Sequence, residues 1–171
     1  MLKELLGFGQ SRRLAAELHA GLVARAREPV FFRDLAVADT IDGRFDMVTL
    51  HAWLLLARLN ELGMRDVAQS LVDTLFTGFD ESVRELGVGD IGAGHRVKKI
   101  ADAFYGRLQA YAAADDDAAM AAALLRNIYR ARSDCESNAD VLAGYVRSAQ
   151  AHLAREPLAF GCVDFGPLPL G

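Results

Sequence analysis

Four histidines, two cysteines and one glycine-rich run are the places in this sequence where chemistry could be sited. His19, His51, His95 and His152 fall on four separate predicted helices or helix starts. None stands in a ligand motif, and HExxH is absent. His51, inside an apolar helix, reads as a hydrogen-bonded core histidine rather than a ligand. Cys135 and Cys162 form no CxxC pair and no Cys/His cluster, which fits two unpaired thiols in a reducing compartment. Neither has the setting of a nucleophile, and no GxSxG elbow occurs. The residues therefore indicate no reaction, and the expectation is a protein without catalytic residues, metal or cofactor.

The run Gly87-Val88-Gly89-Asp90-Ile91-Gly92-Ala93-Gly94 contains a formal GxGxxG. The dinucleotide fingerprint needs a strand before the glycines and a βαβ unit around them, whereas here a helical pattern precedes. A phosphate loop fails too, because His95-Arg96 stands where Lys-Ser/Thr is required. Gly87, Gly89, Asp90, Gly92 and Gly94 are instead expected to form a tight helix-to-helix loop that sets the angle of the next helix. Asp115-Asp116-Asp117 invites a metal reading, but three adjacent carboxylates do not converge on one ion; helix capping is the expected role.

The helix expected from Gly94 to about Ala112 carries the candidate surface. Val97, Ile100, Ala101, Phe104, Leu108 and Tyr111 share its core face. At about 100° per residue, Arg96, Lys99 and Arg107 fall together on a neighbouring face, with Ala103, Gly106 and Ala110 between them. Small residues framed by cations let another helix or an anionic surface approach closely; a solvated charged face is the competing reading.

These residues need a scaffold, and the sequence centres it on one helix spanning about 45–62. It runs from a turn at Asp42-Gly43 to Gly63. Apolar residues occupy almost every side of it, with Phe45, Trp53, Leu55 and Leu59 as expected core, joined by Phe104 from the later helix. Its uninterrupted apolar part is shorter than the roughly 18–20 residues that cross a bilayer. Ser11 is expected to cap a helix ending near Arg27 before Pro29, and residues 30–44 to form an ordered connection. Met64 to Leu86 repeats apolar residues at helical spacing and has Gly87 as its natural stop. A helix from Ala118 to about Arg130 comes next, then one opened by the capping-box-like Ser137-Asn138-Ala139-Asp140. The expected fold is all-α, a single-domain irregular bundle of about six helices around the 45–62 helix. It divides into an N-terminal helical segment (1–29), a helical domain (30–154) and a Gly/Pro-containing tail (155–171) lying on the surface or partly ordered.

With 171 residues, 52% hydrophobic and 25% charged, the chain can bury a sizeable core. Its net charge of −4 argues against broad nucleic-acid binding. The start Met1-Leu2-Lys3-Glu4-Leu5-Leu6 shows no secretory or transit pattern, so a cytoplasmic location is expected.

Two stretches, read together, carry a resemblance. One runs from Asp39-Thr40-Ile41-Asp42-Gly43-Arg44-Phe45-Asp46 through His51-Ala52-Trp53-Leu54 to Arg58-Leu59. The other is the glycine run continuing into Val97-Lys98-Lys99 and Ala103-Phe104-Tyr105-Gly106-Arg107, with Asn127-Ile128-Tyr129 downstream. Across about residues 30–150 the chain resembles the ubiquinol–cytochrome c chaperone family, as a bacterial relative. The resemblance implies a non-enzymatic assembly factor for the cytochrome bc1 complex (respiratory complex III), with cytochrome b or another bc1 assembly component as partner. It also implies work near the inner membrane or the ribosome's exit, and no specific nucleic acid. On this reading Arg96, Lys99, Ala103, Gly106 and Arg107 form the partner-binding face. Reversing the charge of Lys99 and Arg107 is then expected to weaken binding at little cost in stability. The alternative is a helical protein that binds a small hydrophobic ligand or lipid along its central helix.

Overall fold

The computed structural model describes residues 2–85, 90–155, 158 and 163–170. Every regular element among them is helical: α1 (Leu2–Ala26), α2 (Pro29–Arg33), α3 (Ile41–Glu61), α4 (Arg65–Glu85), α5 (Asp90–Ala112), α6 (Asp117–Asn127), a 3-10 turn (Ser133–Cys135) and α7 (Glu136–Arg155). Apart from the five-residue α2, the α-helices number six, as the sequence leads one to expect. No helix among the described residues is long and apolar enough to cross a membrane.

The bundle is organised around α3, which packs on α1, α4, α5 and α7, while α1 lies along α4 and α6 along α7. An apolar helix buried on most sides is the stable solution for a segment with no polar face to turn to water. Leu50, Leu55 and Leu59 are fully buried, and Trp53 nearly so. Phe104 enters the same core from α5. Phe45 is only half-buried at its edge, with its ring against Phe79 at a centroid distance of 5.2 Å.

Several boundaries differ from those the sequence suggests, each for a local reason. The turn expected at Asp42-Gly43 is the first turn of α3. Thr40 caps it, its side-chain oxygen accepting from Gly43 N at 3.2 Å. Gly43 is there for space: a Cβ would lie 1.9 Å from the Ala38 carbonyl oxygen. Ser11 lies inside α1 rather than at its start. Pro29 opens α2, at the position where its missing N–H costs nothing. The Arg132-to-Cys135 turn starts α7 at Glu136, so Ser137 is already inside the helix. Asp116 does cap α6, its Oδ1 accepting from Ala119 N at 2.7 Å.

The tail is the largest departure from expectation. Residues 163–170 do not merely lie on the surface, since Phe165 is 2% exposed and its ring stands edge-on to His51, 5.1 Å between centroids. Arg25 of α1 donates to the Gly166 carbonyl, and His152 of α7 meets Asp164 at 3.0 Å. The tail thus joins α1, α3 and α7 through one buried ring and two polar contacts.

Candidate functional site

The densest charge chemistry gathers where α3, α5 and the turn after α6 meet. Asp46, one turn into α3, is completely buried. Arg107 reaches it from α5, with Nε 2.9 Å and Nη2 2.8 Å from Oδ1, while its Nη1 donates to the Ala103 carbonyl at 3.0 Å. The Arg107 guanidinium also sits over the Phe45 ring, 5.3 Å from its centroid. Arg130 approaches from the other side, its Nη2 2.9 Å from Oδ2. Arg130 is thus the cation facing Oδ2, and its Nη1 also donates to the Asn127 carbonyl and, at 3.4 Å, to that of Ile128 at the end of α6.

Burial pushes the Asp46 carboxyl up, to about 6, against the opposing pull of Arg107 and then Arg130. At neutral pH it is therefore ionised, and two guanidiniums surround one carboxylate. The cluster carries a net positive charge, and its exposed end is Arg130. The Arg107 side chain is 15% exposed and that of Arg130 49%. Two neighbouring hydroxyls, Thr49 Oγ1 on α3 and Tyr111 Oη on α5, are buried without a hydrogen-bond partner among the described residues. Burial, and then the nearby Asp46 charge, keep Tyr111 protonated well above its ordinary range.

The turn that delivers Arg130 has unusual backbone. After α6 the chain passes through Arg130 at φ 56° and Ala131 at φ 58°, the left-handed region where glycine is favoured. Ala131 N donates to the Leu125 carbonyl at 2.9 Å and closes the helix end. Tyr129 anchors the turn by donating its hydroxyl to the Leu35 carbonyl at 2.8 Å.

The residues expected to form one face on α5 divide in two. Arg96 and Lys99 are exposed, as is Gly106, and Ala103 is half-buried. Arg107, by contrast, is turned inward and held by Asp46. The expectation that its charge can be reversed at little cost in stability is therefore corrected: a glutamate there would face a buried carboxylate. The glycine run also divides. Asp90, Gly92 and Gly94 belong to α5, so the helix begins four residues earlier than expected, and the loop does not extend to Gly94. Gly87 and Gly89 lie outside the described residues.

Sequence reasoning missed Asp46 and Arg130. Asp46 left a signal, since a carboxylate inside a helix apolar on nearly every side requires a cationic partner. Arg130 left none, because only the left-handed turn aims it back at α3.

The remaining candidates resolve into structural roles. His51 donates from Nδ1 to the Met47 carbonyl at 2.8 Å and accepts at Nε2 from the Tyr145 hydroxyl at 2.8 Å. Arg25 Nε in turn donates to that hydroxyl at 3.0 Å. Burial above all, opposed by the Met47 bond and helped by Arg25, pushes His51 down to about 4, so it is neutral. Cys135 is buried and unpaired, and Cys162 lies outside the described residues. No group of three or more His, Cys, Asp or Glu side chains among the described residues is arranged to hold a metal. A cavity of about 320 Å³ lies beside Trp53 and Met120, but Asp115, Asp116, Asp117 and Arg147 also line it, a polar wall ill suited to a lipid chain.

Comparison with known proteins agrees with this architecture. The family model described as Ubiquinol-cytochrome C chaperone matches residues 33–159. The Ubiquinol-cytochrome-c reductase complex assembly factor 1 of Xenopus laevis is 23% identical over 137 residues, covering 78% of this chain and 68% of that protein. A crystal structure of the Cbp3 homolog from Brucella abortus superposes with a TM-score of 0.78 at 35% identity, covering 91% of this chain and 89% of that one. The matched span runs from α2 to just beyond α7 and takes in Asp46, Arg107 and Arg130. The chain belongs to the ubiquinol–cytochrome c chaperone family.

Proposed function

We propose that this protein is a non-enzymatic assembly chaperone for ubiquinol–cytochrome c reductase (respiratory complex III), acting by docking cytochrome b or another bc1 assembly component. Family membership supports the assembly role, as does the named role of the Xenopus relative. The observation that carries the docking reading is the outer side of α5, where Arg96 and Lys99 stand exposed beside Ala103 and Gly106. Small residues there let a partner helix approach, and exposed cations supply charge matching at its rim. Arg107 serves this surface from behind by pinning α5 to α3 through Asp46. Because the client is a membrane protein, the chaperone works peripherally at the inner membrane.

The test is cross-linked capture from native membranes with wild type and Arg96→Glu/Lys99→Glu. Recovery of cytochrome b by wild type and not by the double variant is the expected result. Equal recovery by both moves the docking face elsewhere, and recovery of no bc1 component by either overturns the assembly reading.

A further inference from the structure

Residues 163–170 are held to the helices by side chains and hardly at all by backbone. Among the described residues, the one backbone hydrogen bond from this segment to the body is the Gly166 carbonyl accepting from Arg25. Gly166 N serves the segment itself, donating to Asp164 Oδ1 at 2.8 Å. Pro167 and Pro169 have no N–H to give. The rest of the attachment is the Phe165 ring against His51, the His152–Asp164 contact, and apolar packing by Val163 and Leu168. Between Pro167–Leu170 and Val141, Gly144, Tyr145 and Ser148 of α7 lies a cavity of about 240 Å³, so that seam is incompletely packed.

The helical body, by contrast, is complete without the segment. His51 keeps Met47 and Tyr145 as partners, and Tyr145 keeps Arg25, all supplied by α1, α3 and α7. Removing the tail takes the Gly166 carbonyl from Arg25 and the Asp164 carboxylate from His152. Both side chains are partly exposed, so water replaces what they lose. A segment that lies outside every helix and whose departure strands no buried polar group can separate while the helices stay formed.

We propose that residues 163–170 are a strap that opens as a unit from an intact helical body, withdrawing Phe165 and uncovering an aromatic-lined socket at His51. Its closed position depends on Gly21 of α1, where a Cβ would lie 3.2 Å from Val163 Cβ and Cγ2. Alanine at this mid-helix position favours the helix while crowding the strap, so the two parts should respond in opposite directions. The strap is a device of the fold, distinct from the docking role proposed above and independent of it.

The test is subtilisin cleavage of the full chain across urea concentrations below the unfolding transition, with the cuts mapped by mass spectrometry. Cutting within 163–168 is expected before any cut in α1, α3 or α7. Its rate should rise with urea at only a small fraction of the slope of global unfolding. Gly21→Ala should speed this cut severalfold without lowering the melting temperature. Asp164→Ala removes the contact with His152 and the bond to Gly166 N, and should speed it by about tenfold, also with little change in melting temperature. A urea slope equal to that of global unfolding, or no cut within 163–168 before the helices are cut, would overturn the strap. So would variants that leave the rate unchanged, or raise it only in step with a fall in melting temperature. Membrane capture tests the assembly reading separately, so the two can fail independently.

Discussion

The Tyr145 hydroxyl lies 2.8 Å from His51 Nε2 and decides which ring nitrogen carries the hydrogen. Arg25 Nε can only donate to that hydroxyl, so its own hydrogen turns to His51. His51 must then accept at Nε2 and donate from Nδ1 to Met47. Each donor in this buried chain has one acceptor, and the imidazole is neutral.

Protonating His51 would leave two donors pointed at each other. The folded-state value near 4 lies below the ordinary 6.5, so between those values the unfolded chain binds the proton and the fold does not. Stability from this group is complete above about pH 6.5 and is lost as pH falls toward 4, by about 3 kcal/mol. Ring-nitrogen NMR shifts of His51 should keep the neutral Nδ1–H pattern at pH 5; an imidazolium signal there would refute the assignment.

Asp46 works against this trend. Its folded value, about 6, lies above the unfolded 3.8, so the folded chain holds the proton more tightly and acid favours the fold between the two. The wild-type denaturant midpoint should therefore vary only shallowly from pH 6 to pH 4. A steep loss over that range would show that Asp46 is held low by its two arginines.

Tyr145→Phe removes the link while keeping the ring that packs edge-on to Phe31, 5.3 Å between centroids. His51 Nε2 and Arg25 Nε then lose a common partner, at a cost of about 1–3 kcal/mol, measurable by urea denaturation.

Charge reversal should separate the two arms of α5. Lys99→Glu is exposed and expected to change stability by no more than about 0.5 kcal/mol. Arg107→Glu breaks a buried pair and is expected to cost about 3–5 kcal/mol. Similar melting temperatures for the two variants would mean that the Asp46 pair contributes little.

Gly43→Ala probes a purely steric demand. Its Cβ would overlap the Ala38 carbonyl oxygen, and because the obstacle is backbone, the start of α3 must shift, costing about 1–3 kcal/mol or more. Calorimetry of this variant beside Trp53→Ala, expected to cost about 3–5 kcal/mol, would place the two effects on one scale.

What the sequence made legible was governed by periodicity. Leu55, Leu59 and Phe104 fall on faces that must be buried, and hydrophobic spacing finds them. Asp116 announces its cap by standing just before a helical run. Arg107 was misplaced because a helical wheel puts it between core and surface, and Asp46, which decides the matter, lies 61 residues away. The Arg130 turn was invisible because neither residue in its left-handed backbone is glycine. Phe165 was set aside with its Gly/Pro-rich neighbours, since composition cannot show that one ring among them fills a gap between three helices.

That ring has a consequence for how the molecule matures. Arg25 and Gly166 meet across 141 positions, and loop closure over such a span comes late, after local helices have formed. Until Phe165 arrives, His51 and Tyr145 border an unfilled space, so an elongating chain can assemble its helices yet cannot finish its centre. A form ending before residue 165 is therefore expected to keep its helices while lacking the ring that packs on His51, which limited proteolysis beside the full chain would reveal as faster cleavage.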